Sequence, residues 1–83
     1  MATRRSTYVL PTEQDYEDAR NHLYGEMYSD YSNYEKLYFT GYWGSCSRFD
    51  WEKCYKIEIW SECSDPIKAA SIIKEHGGRY YEE

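Results

Sequence analysis

Three cysteines, Cys46, Cys54 and Cys63, and two histidines, His22 and His76, are the side chains of this 83-residue chain best equipped for metal binding or nucleophilic chemistry. Their spacing argues against both. No cysteine pair shows the C-x-x-C separation that lets two thiolates reach one zinc ion. A Cys–His nucleophile pair would need a tertiary meeting between residues expected on different elements. No glycine loop precedes a Lys-Ser/Thr pair, and Gly77-Gly78 follows a helix, where a C-terminal cap belongs. No serine sits in a strand-turn-helix elbow. The chain is therefore expected to hold no metal, to use no cofactor and to have no catalytic residue. An odd number of cysteines, with no apolar signal run after Met1, points to free, buried thiols in a reducing cytoplasm.

The chemistry that does stand out is that of contact surfaces. Between Glu13 and Glu35 lie Glu13, Asp15, Glu17, Asp18, Glu26, Asp30 and Glu35, seven acids against the single base Arg20. That excess accounts for the net charge of −5 of the whole chain. The same stretch carries Tyr16, Tyr24, Tyr28, Tyr31 and Tyr34. Acid steers encounter with a basic surface and repels nucleic acid, and tyrosine supplies flat contact area at low entropic cost. Asp15, Asp18, Glu26, Tyr28, Asp30, Tyr31 and Tyr34 are the candidate partner-binding residues of this segment. The expected partner is a basic protein surface, with no membrane and no direct nucleic acid.

The elements that must position these residues can be read from period and punctuation. Residues 1–6 read as a loose basic tail. Ser6–Leu10 reads as a strand stopped by Pro11. Thr12 is an N-cap, and Tyr16, Ala19, Leu23 and Met27 fall on one helical stripe, which predicts a helix from Glu13 to Met27. Its other face presents Asp15, Asp18, His22 and Glu26 as an acidic ridge, unless those charges are merely a solvated side. Tyr28–Glu35 reads as a loop with tyrosine at every third position. Leu37–Trp43 reads as a strand with Leu37, Phe39 and Trp43 on one face and Tyr38, Thr40 and Tyr42 on the other. Cys54–Trp60 alternates most clearly, with Tyr55, Ile57 and Ile59 inward and Lys56 and Glu58 outward. Asp65-Pro66 opens a second helix whose apolar face is Ile67, Ala70 and Ile73, with Ala69 and Ile72 beside them; Gly77 and Gly78 close it. Arg79-Tyr80-Tyr81 is a short closing strand.

The order β-α-β-β-α-β predicts a single α+β domain over residues 1–83. It is the ferredoxin-like arrangement, an antiparallel four-stranded sheet with two helices on one face. A three-stranded sheet without the last strand is the alternative. Aromatics make up 19% of the chain, so tyrosine and tryptophan must do much of the packing in so small a core. The sheet face away from the helices would expose Tyr38, Tyr42 and Trp60 with Lys56 and Glu58. That aromatic patch suits a protein contact or a homodimer. RNA-recognition domains share the fold and stack bases on such rings. Here, however, the third strand reads Cys-Tyr-Lys-Ile-Glu-Ile-Trp, without their basic-Gly-aromatic signature, and the net charge opposes phosphate.

In general character, from Asp15-Tyr16-Glu17-Asp18 through Tyr28-Ser-Asp-Tyr-Ser-Asn-Tyr-Glu35, the chain resembles the small, acidic, aromatic-rich proteins that bacteriophages make against host defences, anti-CRISPR proteins and restriction inhibitors. The resemblance is one of composition and carries no motif. It implies a stoichiometric inhibitor of a nucleic-acid-binding or nuclease complex, acting in the host cytoplasm without turnover.

Overall fold

A computed structural model describes residues 5–27, 37–63 and 65–81. Strand β1 (Arg5–Leu10) leads into helix α1 (Glu13–Met27). Thr12 caps that helix: its hydroxyl accepts from the Asp15 N–H at 3.0 Å, and its carbonyl accepts from Tyr16 N–H. Strands β2 (Leu37–Cys46) and β3 (Trp51–Trp60) form a long hairpin closed by a single 3₁₀ turn, Ser47–Phe49. Helix α2 (Pro66–Glu75) starts with Pro66 behind the Asp65 cap, whose carboxylate accepts from Lys68 N–H at 3.1 Å. It ends in a Schellman motif: Gly78 N–H reaches the Ile73 carbonyl at 2.9 Å and Gly77 N–H that of Lys74 at 3.1 Å. Gly77 takes φ 88°, which glycine adopts without steric cost. Strand β4 (Arg79–Tyr81) follows at once.

The four strands form one antiparallel sheet in the order β2-β3-β1-β4, so each helix connects two parallel strands that flank a third. The three-stranded alternative is thus set aside by β4, which pairs with Thr7–Val9. Tyr8, Leu10, Leu37, Ile57 and Ile59 of the sheet pack with Tyr16, Ala19, Leu23 and Met27 of α1 and Ala69, Ile72 and Ile73 of α2 in one core. The expected core strip of α2 is rotated: Ile67 is 81% exposed and Ala70 only half-buried.

The hairpin departs most from simple alternation. Leu37, Tyr38 and Phe39 stand opposite Ile59, Glu58 and Ile57 in turn, but Gly41 then stands opposite Lys56. Thr40 is the extra residue of a β-bulge, and Gly41 absorbs the kink at φ 79°. One inserted residue sends all later side chains to the opposite face. Tyr42, expected beside Tyr38, therefore lies on the helix side, where its ring meets Tyr55 at 5.7 Å. Trp43, expected on the helix side, falls on the far side. A second shift between Tyr42 and Gly44 tightens the bend toward the 3₁₀ turn.

The far face is not the open sheet that alternation predicts. Trp43 from one edge strand and Tyr81 from the other meet edge-to-face at 5.1 Å, above the two central strands. Phe49 and Trp51 from the hairpin tip pack on Val9, Cys46 and Cys54. As a result Val9 and Cys54 are fully buried, Glu58, which reads as outward, keeps only 5% of its surface, and Thr7 opposite it keeps 8%. Val9 thus belongs to this second cluster, while Tyr8 and Leu10 face the helices.

Candidate functional site

Cys46, Cys54 and Cys63 are all buried free thiols. Burial, reinforced by the neighbouring Cys46, pushes the Cys54 thiol up, away from the reactive thiolate. His22 and His76 do meet, ring nitrogen to ring nitrogen at 3.0 Å, as a hydrogen bond across the α1–α2 seam. Among the described residues no group of three metal-ligating side chains converges. A groove of about 700 Å³ lies beside α2, with Ile67, Ala70 and Tyr8 in its wall and Ser71, Lys74 and Glu75 also lining it. What the fold does build is two broad faces of different chemistry.

The first lies along α1. Its row of Asp15, Asp18, His22 and Glu26 borders α2 rather than standing clear as a ridge. Glu26 pairs with Lys68 of α2 at 3.3 Å, His22 with His76, and Asp15 lies half-buried near Gly77. Asp18 is exposed and accepts from Gln14 at 2.9 Å. The other flank, toward β2, is one that sequence pattern does not single out. It carries Glu13 and Glu17 and then Tyr24, 41% exposed and in ring contact with Phe39 at 5.4 Å. Tyr42, 64% exposed, joins this flank through Tyr55, which stacks on Tyr16 at 5.8 Å. Arg20 lies 5.7 Å from the Tyr16 ring centre. Burial raises the Tyr16 phenol, against the lowering effect of Arg20. The described acids and exposed tyrosines of this flank are Glu13, Glu17, Tyr24 and Tyr42, and Asp18 is exposed elsewhere on the same helix. Tyr28, Asp30, Tyr31 and Tyr34 lie outside the described residues.

The second face is the far side of the sheet. Its rows follow from the register: Arg5 opposite Trp60; Tyr38, Glu58, Thr7 and Tyr81 across all four strands; then Lys56, Val9 and Arg79. Glu58 sits at the centre, 3.2 Å from Arg5 and 3.1 Å from Lys56. Three cations lie over three rings: Lys56 over Trp43 at 4.8 Å, Arg48 over Tyr81 at 4.9 Å and Arg5 over Trp60 at 5.9 Å. Tyr38 is 56% exposed, while Trp60 is half-buried. Alternation gave Tyr38 and Trp60 their places here. It missed Trp43 and Tyr81, because the first needs the bulge and the second needs the strand order. No helix among the described residues is long and apolar enough to cross a membrane. No protein-family model, no curated protein sequence and no solved structure matches the chain.

Proposed function

We propose that this protein acts by binding and not by catalysis, as a stoichiometric inhibitor or regulator of a nucleic-acid-binding or nuclease complex of the anti-CRISPR or anti-restriction kind. The element order and the strand order β2-β3-β1-β4 support reading its scaffold as ferredoxin-like. The observation that carries the functional reading is the exposure of Tyr24 and Tyr42 on the flank of α1 that carries Glu13 and Glu17, with Asp18 exposed elsewhere on the same helix. Acids raise the rate of encounter with a Lys/Arg-rich surface, and half-exposed tyrosines held by Phe39 and Tyr55 are preorganised anchors. A homodimer through the sheet face has less support, since two copies would bring the Arg5, Arg48, Lys56 and Arg79 charges face to face.

The test is titration of the protein into DNA-cleavage reactions of purified CRISPR effectors and restriction enzymes. Inhibition should reach its end point at about one equivalent, and Glu17→Lys with Asp18→Lys should slow association at least tenfold and flatten its salt dependence. Cleavage untouched across the panel, or a double variant that inhibits as well as the parent, removes this reading.

A further inference from the structure

We propose that the sheet face turned away from the helices is a binding surface for single-stranded nucleic acid, with Arg5, Arg48 and Arg79 meeting phosphates and Tyr38 and Trp43 stacking bases. This does not depend on the function proposed above, and it uses the opposite side of the molecule.

The argument begins with charge. The chain as a whole carries −5, which is why a polyanion is not expected from composition. The charge is not evenly spread. In the rows from Arg5–Trp60 to Lys56–Arg79, and in the Arg48 that lies over them, the described residues supply four cations and one carboxylate. That carboxylate, Glu58, is 5% exposed and already engaged by Arg5 and Lys56, so it offers little repulsion to a ligand above. Arg48 and Arg79 are exposed, and the Arg5 side chain keeps 58% of its surface. Among the described residues the charges of this face therefore sum to a positive value, although the molecule is negative.

Shape and ring chemistry then choose among polyanions. Tyr38 is 56% exposed and Trp43 38%. Trp43 is fixed from beneath by Lys56 and from the side by Tyr81, so little entropy is lost when a base settles on it. Rings interleaved with cations are what an unpaired strand uses, base on ring and phosphate on cation. A duplex hides its base faces, and an acidic peptide would use the cations but leave the rings idle. A second copy of this face is disfavoured by like charge.

The experiment is fluorescence anisotropy of a labelled single-stranded oligonucleotide of about twelve nucleotides with the full chain, at about 50 and 200 mM salt, alongside quenching of tryptophan emission. Binding should weaken steeply with salt. Arg48→Glu with Arg79→Glu should weaken it at least thirtyfold and reduce the salt slope by about 0.7 for each phosphate that is no longer neutralised. Tyr38→Ala, at an exposed position, should cost about tenfold, the value of one stacked base. Glu17→Lys with Asp18→Lys, on the other side of the molecule, should leave the protein no worse a binder. Circular dichroism establishes that each variant is folded. The proposal is overturned by no binding at the lower salt, by equal binding of the Arg48/Arg79 variant, by a duplex or polyglutamate binding as tightly as the single strand, or by a mass that rises with concentration unless Arg48 and Arg79 are reversed. Failure here leaves the cleavage assay untouched, and failure there leaves this titration untouched, so the two ideas fall separately.

Discussion

Glu58 is a carboxylate held in the middle of a sheet face at 5% exposure, and its two partners are unequal. Arg5 keeps 58% of its side-chain surface and Lys56 only 17%. Arg5→Ala removes a pair that water already screens, so it should cost less than about 1 kcal/mol. Lys56→Met leaves a buried carboxylate with one exposed partner and should cost about 2 kcal/mol, with urea unfolding as the measure. Equal costs would show that Glu58 is better hydrated than its burial implies. A second expectation concerns alkaline pH. Burial, and beyond it Tyr80, raises the Tyr8 phenol, burial raises Tyr16, and burial with Cys46 raises the Cys54 thiol. Each group stays protonated in the fold at a pH where the unfolded chain has begun to ionise. Their contribution is thus fully present below the ordinary thiol value of 9.0 and is lost as pH rises through it and through the ordinary phenol value of 10.0. Tm should be level on the neutral side and fall on the alkaline side; a Tm that climbs there would contradict the buried placement of all three.

At the scale of elements, the glycines separate what a sequence can announce from what it hides. The Gly77-Gly78 pair, after a 3.6-residue apolar stripe and before a short β-prone run, announces a helix end. The structure adds why the second glycine is strict: a Cβ on Gly78 would run into the Ile73 side chain, with the Ile73 carbonyl oxygen 2.7 Å away. Gly78→Ala should cost about 2–3 kcal/mol in thermal or urea unfolding, and a neutral result would mean that the Schellman turn can open. Gly41 gives no such warning, because a glycine inside a strand pattern marks a bulge, a bend or nothing. The bounds of α1, the inward set of β3 and the antiparallel hairpin were legible because each rests on a period. The sides taken by Tyr42 and Trp43 were not, since one unannounced residue at Thr40 inverts the period until the next shift after Tyr42. The burial of Glu58 was hidden for a related reason: local alternation says which way a side chain points, and only the meeting of Trp43 with Tyr81 says what covers it. Likewise the period puts Asp15, Asp18, His22 and Glu26 on α1, but Lys68 of α2 and His76 just past its end, which pair with Glu26 and His22, lie more than forty residues further along the chain.

For the whole molecule, the consequence is polarity across a thin body. Its principal extents are 34 × 30 × 17 Å, one sheet and one helical layer deep, so nearly all of its function must be written on two broad sides. One carries Glu13, Glu17 and Asp18; the other carries Arg48, Arg79 and Arg5. A uniformly acidic protein of charge −5 would flow through a cation exchanger at neutral pH and low salt. This one should be retarded by it, and Arg48→Glu with Arg79→Glu should abolish that retardation; unretarded passage of the parent would mean that the acids of α1 dominate the field at every surface. The bulges of β2 also bear on a different hazard. This strand is ten residues long, rich in tyrosine, and lies at the rim of the sheet with one side of its backbone unpaired by any other strand among the described residues. A flat rim of that composition is a template on which further chains can add and grow into fibrils. The kinks at Gly41 and Gly44 spoil the template by throwing the outer amides out of line. Deleting Thr40 would remove the first of these kinks, and the product should seed thioflavin-positive aggregates at concentrations where the parent stays clear.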